Sequence, residues 1–131
     1  MSEVERIPVS VRRFIEERIE SVGLLDVLLL LHAEPHRSWT PAQLSREVRS
    51  ERHWAEVHLE YLRSQALLAT TQGPDGRSYR YDPFSRELDR VVGELSEAFR
   101  RQPVSVIKLI FQQPPAERLG ALEASRLRRQ L

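Results

Sequence analysis

The feature that most constrains this chain is a ladder of apolar residues from Leu44 to Leu68 and the turn that follows it. Leu44 and Val48 stand four apart, the spacing of one face of a short helix; Ala55, Leu59, Leu62 and Ala66 then recur at intervals of four, three and four, the stripe of a second helix. Leu67-Leu68-Ala69-Thr70-Thr71 shifts to a β-like run. Gly73-Pro74-Asp75-Gly76 is a tight-turn sequence, because proline presets φ at the second position and glycine accepts positive φ. Arg77-Ser78-Tyr79-Arg80-Tyr81 alternates with period two, which predicts a hairpin from Leu67 to Tyr81. The start of the ladder is equally explicit. In Thr40-Pro41-Ala42-Gln43 the threonine is an N-cap, the proline sits at the first helical position where its missing N–H costs nothing, and the glutamine closes a capping box. Arg49-Ser50 reads as the turn between the helices, with Ser50 as N-cap of the second.

Helices flank this unit. Val11, Ile15, Ile19 and Val22, widened by Phe14, predict an amphipathic helix over roughly Val9 to Glu20. Val22 to Ala33, capped by Ser21 and stopped by Pro35, is apolar nearly all round and therefore central. Ser38-Trp39 is a short extended piece. After Asp82-Pro83, the positions Phe84, Leu88, Val91, Val92, Leu95 and Phe99 mark a helix from Phe84 to Arg101, which Pro103 breaks. An apolar segment, Val104 to Phe111, and a basic helix over about Ala116 to Gln130 end the chain. The expected class is mainly α with a small β-hairpin. One compact domain is expected, made of N-terminal helices over 1–37, the helix pair and hairpin over 38–82, and C-terminal helices over 83–131.

Composition narrows the chemistry. At 131 residues and without a cysteine, the chain needs no disulfide to bury a core and offers no thiolate zinc site, redox pair or cysteine nucleophile. Its most apolar stretch, Val22 to Leu31, is interrupted by Asp26 and is about half the length that a bilayer requires. The opening MSEVERIPVS carries acids where a signal peptide is basic, so a cytoplasmic protein without membrane contact is expected. Net charge is +1, but unevenly spread: residues 1–35 hold four arginines against seven acids, and residues 83–131 hold nine lysines or arginines against six. Nearly all the basic residues are arginine, the side chain suited to bidentate phosphate or guanine contacts.

The order helix, short strand, helix, turn, helix, hairpin resembles the winged helix-turn-helix of bacterial transcriptional regulators such as the MarR and PadR families. Leu44, Val48, Ala55, Leu59, Leu62, Ala66, Leu67 and Leu68 occupy the apolar places of that motif without a gap. Two positions depart from it. Arg49 stands where the family has glycine in the turn, and Ala66 where it has glycine before the wing, a residue placed at positive φ. The resemblance implies double-stranded DNA as partner, with the second helix of the motif in the major groove and the wing along the backbone. It puts Arg52, His53 and Glu56 at base edges, and Thr40, Arg46, Arg49, Arg77 and Arg80 on phosphates. It also implies a homodimer through the terminal helices. Val91, Leu95, Phe99, Val106, Ile107 and Ile110 are apolar positions that either complete the core or pair with a second subunit.

Against the DNA reading stands the mixed charge of the second helix, where Glu51, Glu56 and Glu60 lie beside Arg52, His53, His58 and Arg63; such a face also suits a protein-docking module or plain solvation. Trp54 either fills the edge of the core or stacks on a partner, and Trp39 belongs to the core. His32 and His36 have helical ligand spacing, but Pro35 between them breaks the helix and no third ligand is near in sequence, so no metal is expected. No nucleophile motif or glycine-rich phosphate loop is present; neither an enzyme nor a cofactor is expected.

Overall fold

A computed structural model describes residues 6–112. The expected helix over Ala116 to Gln130, with Arg118, Arg126, Arg128 and Arg129, lies outside the described residues. The order is α1 (Val9–Arg18), α2 (Val22–Ala33), β1 (Ser38–Trp39), α3 (Pro41–Val48), α4 (Arg52–Ser64), β2 (Leu68–Gly73), β3 (Gly76–Tyr81), α5 (Arg86–Arg101) and α6 (Pro103–Phe111). The protein is mainly helical, with one small antiparallel sheet in the order β1-β3-β2.

Local chemistry accounts for most boundaries. Ser21 caps α2 by accepting from the Leu24 N–H at 3.1 Å. Thr40 and Gln43 form the complete capping box, with Gln43 N–H donating to the Thr40 hydroxyl at 3.1 Å and Thr40 N–H to the Gln43 side chain at 3.0 Å. Tight backbone turns end α3 and α4, and each places a non-glycine residue in the left-handed region: Arg49 at φ 55° and Ala66 at φ 63°. After α4 the Leu67 N–H returns to the Leu62 carbonyl at 3.2 Å and the Ala66 N–H to that of Arg63 at 3.0 Å, the double closure of a Schellman end. These are the two positions where the resemblance asks for glycine; the chain keeps the conformation and bears the steric cost of a Cβ there.

Three starts differ from the sequence reading. Helix α4 is capped at Glu51 rather than Ser50, because Arg49 in the left-handed region sends the Ser50 N–H back to the Ser45 carbonyl at 2.9 Å. Helix α5 begins at Arg86 with Ser85 as cap, so Phe84 falls outside it and is 87% exposed. Pro103 does not only break α5: it opens α6 at the first helical position.

One buried cluster draws on every helix and on all three strands: Val11, Phe14 and Ile15 from α1, Leu25, Leu28 and Leu31 from α2, Trp39 from β1, Leu44 from α3, Leu59 and Leu62 from α4, Leu68, Tyr79 and Tyr81 from the hairpin, Val92 and Leu95 from α5, Val106 and Ile110 from α6. Helix α2 supplies the middle of it, and the Asp26 that interrupts its apolar run faces solvent. Leu95, Val106 and Ile110 are therefore consumed by the chain's own core, whereas Val91, Phe99 and Ile107 are only partly covered.

Candidate nucleic-acid interface

Helix α4 is held from three sides. Ala55, Leu59 and Leu62 bury one face of it, against α3 and α2. Its C-terminal end is tied to the end of α1, where the Tyr61 hydroxyl donates to the Arg18 carbonyl at 2.8 Å and Arg18 Nη1 donates to the Gln65 carbonyl at 3.1 Å. At its N-terminal half Trp54 lies against α2, so close to Gly23 that a Cβ there would stand 2.9 Å from Trp54 Cζ2. Trp54 also stacks on His58, with centroids 3.8 Å apart, and His58 Nδ1 lies 2.8 Å from the Trp54 carbonyl. Trp54 is thus a half-buried edge of the core and Trp39 is wholly enclosed, with the Arg37 guanidinium 3.5 Å above its ring.

What α4 leaves open is the face carrying Arg52, His53 and Glu56, all exposed. At about 100° per residue they share an arc of about 100° on the first turns. Arg46 on α3 and Arg49 in the turn before α4 are also exposed, and Thr40 stands half-exposed at the head of α3 with its oxygen accepting the capping bond. Val57, which the sequence reading did not single out, lies on the same open face and is 49% exposed. An apolar side chain there matches the chemistry of a thymine methyl or a protein partner.

The hairpin separates Arg77 and Arg80, the two strand arginines expected on phosphates. Registers Thr70↔Tyr79 and Gln72↔Arg77 put Arg77, Tyr79 and Tyr81 on one side of β3, whereas Arg80, opposite Ala69 and Ser38, is on the other. Arg77 turns toward α4 and ion-pairs with Glu60, Nη1 to Oε1 at 3.2 Å. Glu60 also accepts from Arg63 Nε at 2.8 Å and from the buried Tyr79 hydroxyl at 3.0 Å. Burial opposes ionisation of this carboxyl, but the bonds from Arg63 and Tyr79 and the charges of Arg63 and Arg77 prevail and hold it below its ordinary value of 4.5. Burial, the bond to Glu60 and its charge push the Tyr79 hydroxyl up, so it stays a donor. Sequence reasoning missed this cluster, since Arg77 and Tyr79 are 17 and 19 residues from Glu60 and meet it only when the hairpin folds back on α4.

Arg80 pairs with Asp82 at 3.3 Å and borders a cleft of about 620 Å³ together with Pro35, His36, Phe84, Arg86 and Asp89. The acids of this cleft are engaged, Asp82 by Arg80 and Asp89 by the Tyr81 hydroxyl at 2.8 Å. Tyr81, pushed far upward by burial and by the bond to and charge of Asp89, is a fixed donor and not a nucleophile. His32, one of the spaced pair, lies edge-on to the Tyr81 ring at 5.1 Å. Among the described residues no group of three or more His, Asp or Glu side chains is arranged to hold a metal, and no helix is long and apolar enough to cross a membrane. The chain matches no protein-family model, no curated protein and no solved structure at a significant level.

Proposed function

We propose that this protein is a DNA-binding transcriptional regulator built on a winged helix-turn-helix, with α3 and α4 as the helix pair, α4 as the reading helix and the β2–β3 hairpin as the wing. The observation that carries the reading is the open face of α4: Arg52, His53 and Glu56 are exposed together on a helix pinned from behind by α1, α2 and α3. A rigid helix presenting donors and an acceptor fits the major-groove edge, where arginine pairs with guanine and a carboxylate accepts from cytosine. Thr40, Arg46, Arg49, Arg77 and Arg80 would set the register on phosphates; Arg77 reaches α4 through Glu60, whereas Arg80 is on the other side of the hairpin. The working form is a cytoplasmic homodimer. Val104, Ile107 and Phe111, three and four apart on α6 and left partly or largely exposed, supply an apolar stripe for a two-fold contact through the C-terminal helices.

The test is an anisotropy titration of labelled genomic fragments at several salt concentrations. The expected result is an affinity that falls steeply with salt and that R52A and R49A weaken, R52A with loss of sequence preference. Salt-independent or absent binding, unchanged by both substitutions, refutes it. A second reading, a winged helix that docks on a protein, is favoured by Val57 at 49% exposure amid Glu56 and Glu60. That reading expects V57D to abolish a complex recovered from the host, with no retention of the protein on heparin.

A further inference from the structure

Glu60 occupies an unusual place on the proposed reading helix. It stands on the open side of α4, one turn beyond Glu56 and next to Val57, yet both its oxygens are taken by neighbours. The two kinds of neighbour differ in permanence. Tyr79 is buried, its ring belongs to the core, and its hydroxyl is a committed donor. Arg77 is on the surface: its side chain is 47% exposed, that of Glu60 is 37% exposed, and a single nitrogen, Nη1, reaches the carboxylate at 3.2 and 3.4 Å. An exposed ion pair of this kind is weak and readily exchanged, whereas a phosphate can take the same guanidinium bidentately.

We propose that Glu60 is an internal counter-ion standing where a DNA phosphate would otherwise be: its bond to Tyr79 keeps the hairpin in register with α4, while its bond to Arg77 holds that arginine back and gives it up when the duplex arrives. Glu60 is on this account a positioning residue that limits affinity, so that only a backbone able to replace it fully engages the wing. The inference rests on the DNA reading above.

Its test is fluorescence anisotropy with the full chain and a labelled mixed-sequence duplex of about 30 base pairs, over a salt series. The variants are E60Q, E56Q, R77A, E60Q/R77A and E56Q/R77A. Glutamine at position 60 keeps an oxygen for Tyr79 and loses the charge. Glu56, exposed on the same face, reports what removing one negative charge does by itself. Release of Arg77 is expected to tighten binding by about fivefold in E60Q against about twofold or less in E56Q, and to steepen the salt dependence. In the R77A background the two glutamine variants should gain equally, because the coupled arginine is gone. Equal gains of E60Q and E56Q with Arg77 present, or an excess gain of E60Q that survives R77A, overturns the counter-ion role. Wild-type binding with no gain in E60Q refutes that role and leaves the DNA reading standing; absence of duplex binding by wild type and E60Q alike, even at low salt, refutes both. A cooperative thermal melt verifies that E60Q is folded. Should it not be, E60D, which keeps the charge but shortens the reach to Arg77, is compared with E56D in place of E56Q.

Discussion

Replacing Ala66 by glycine should make this protein more stable. Ala66 is at φ 63°, one residue past the C-cap of α4, where its N–H closes on the Arg63 carbonyl and its own carbonyl accepts from Phe84 N–H at 2.8 Å. Those bonds hold the left-handed conformation in place, and an L side chain there costs about 1–2 kcal/mol through the clash of Cβ with the following carbonyl. Glycine removes that cost but enlarges the freedom of the unfolded chain, which returns about 0.4–1 kcal/mol. The lost methyl subtracts little, since Ala66 is exposed. The net gain is about 0.5–1 kcal/mol, a rise in Tm of roughly 2–5 °C for a chain of this size. Urea melts should move the midpoint upward with an unchanged m-value, because neither end state changes its buried surface appreciably. A66V, β-branched at the same φ, should move it downward. A66G that leaves Tm unchanged or lowers it, in a cooperative transition, would show that the left-handed cost is not carried at this turn.

G23A puts a methyl 2.9 Å from the Trp54 ring and should lower stability by about 1–3 kcal/mol in a denaturant melt; an unchanged midpoint would mean that Trp54 does not lean on α2. T40A removes the acceptor of the capping box and should cost the free protein about 1 kcal/mol by the same assay. For Glu60 the folded carboxyl lies below its ordinary value of 4.5, so the stability it adds is complete above that value and is lost as pH falls through the lower folded value. Melts of wild type and E60Q should therefore differ above the ordinary value of 4.5 and draw together as pH falls below it, and a difference that stays constant through that fall would contradict the assignment.

How far the fold was legible depended on the range of the interactions behind each element. The capping box of α3, the Ser21 cap and the turn at Gly73 to Gly76 are made by residues within four positions of one another, and all stand where the sequence places them. The left-handed turns were half legible: the resemblance marked Arg49 and Ala66 as places that prefer glycine, but the backward reach of Ser50 N–H that moves the α4 cap to Glu51 follows only from the folded turn. Phe84 misled because it continues the α5 stripe by count, whereas the Ser85 cap and the pull of the Phe84 N–H on the Ala66 carbonyl keep it out of the helix. In the candidate site, Arg52, His53 and Glu56 are exposed together because helical geometry alone decides that. The grip of Glu60 on Arg77 and Tyr79, and the parting of Arg77 from Arg80 by the strand pleat, needed the pairing register of β3 and its seat beside α4.

The two tryptophans also give the protein an optical division of labour. Trp39 is sealed in the core under Arg37, so its emission should remain that of a nonpolar site until the chain unfolds. Trp54 is half-covered, is stacked on His58 and lies against Gly23, directly after Arg52 and His53 in the chain. Shifting α4 against α2 by a fraction of an ångström alters the surroundings of that indole alone. The unlabelled protein thus carries its own fluorophore at the base of the surface whose occupant is in question, and a change in its emission before the melt reports on that surface rather than on the core.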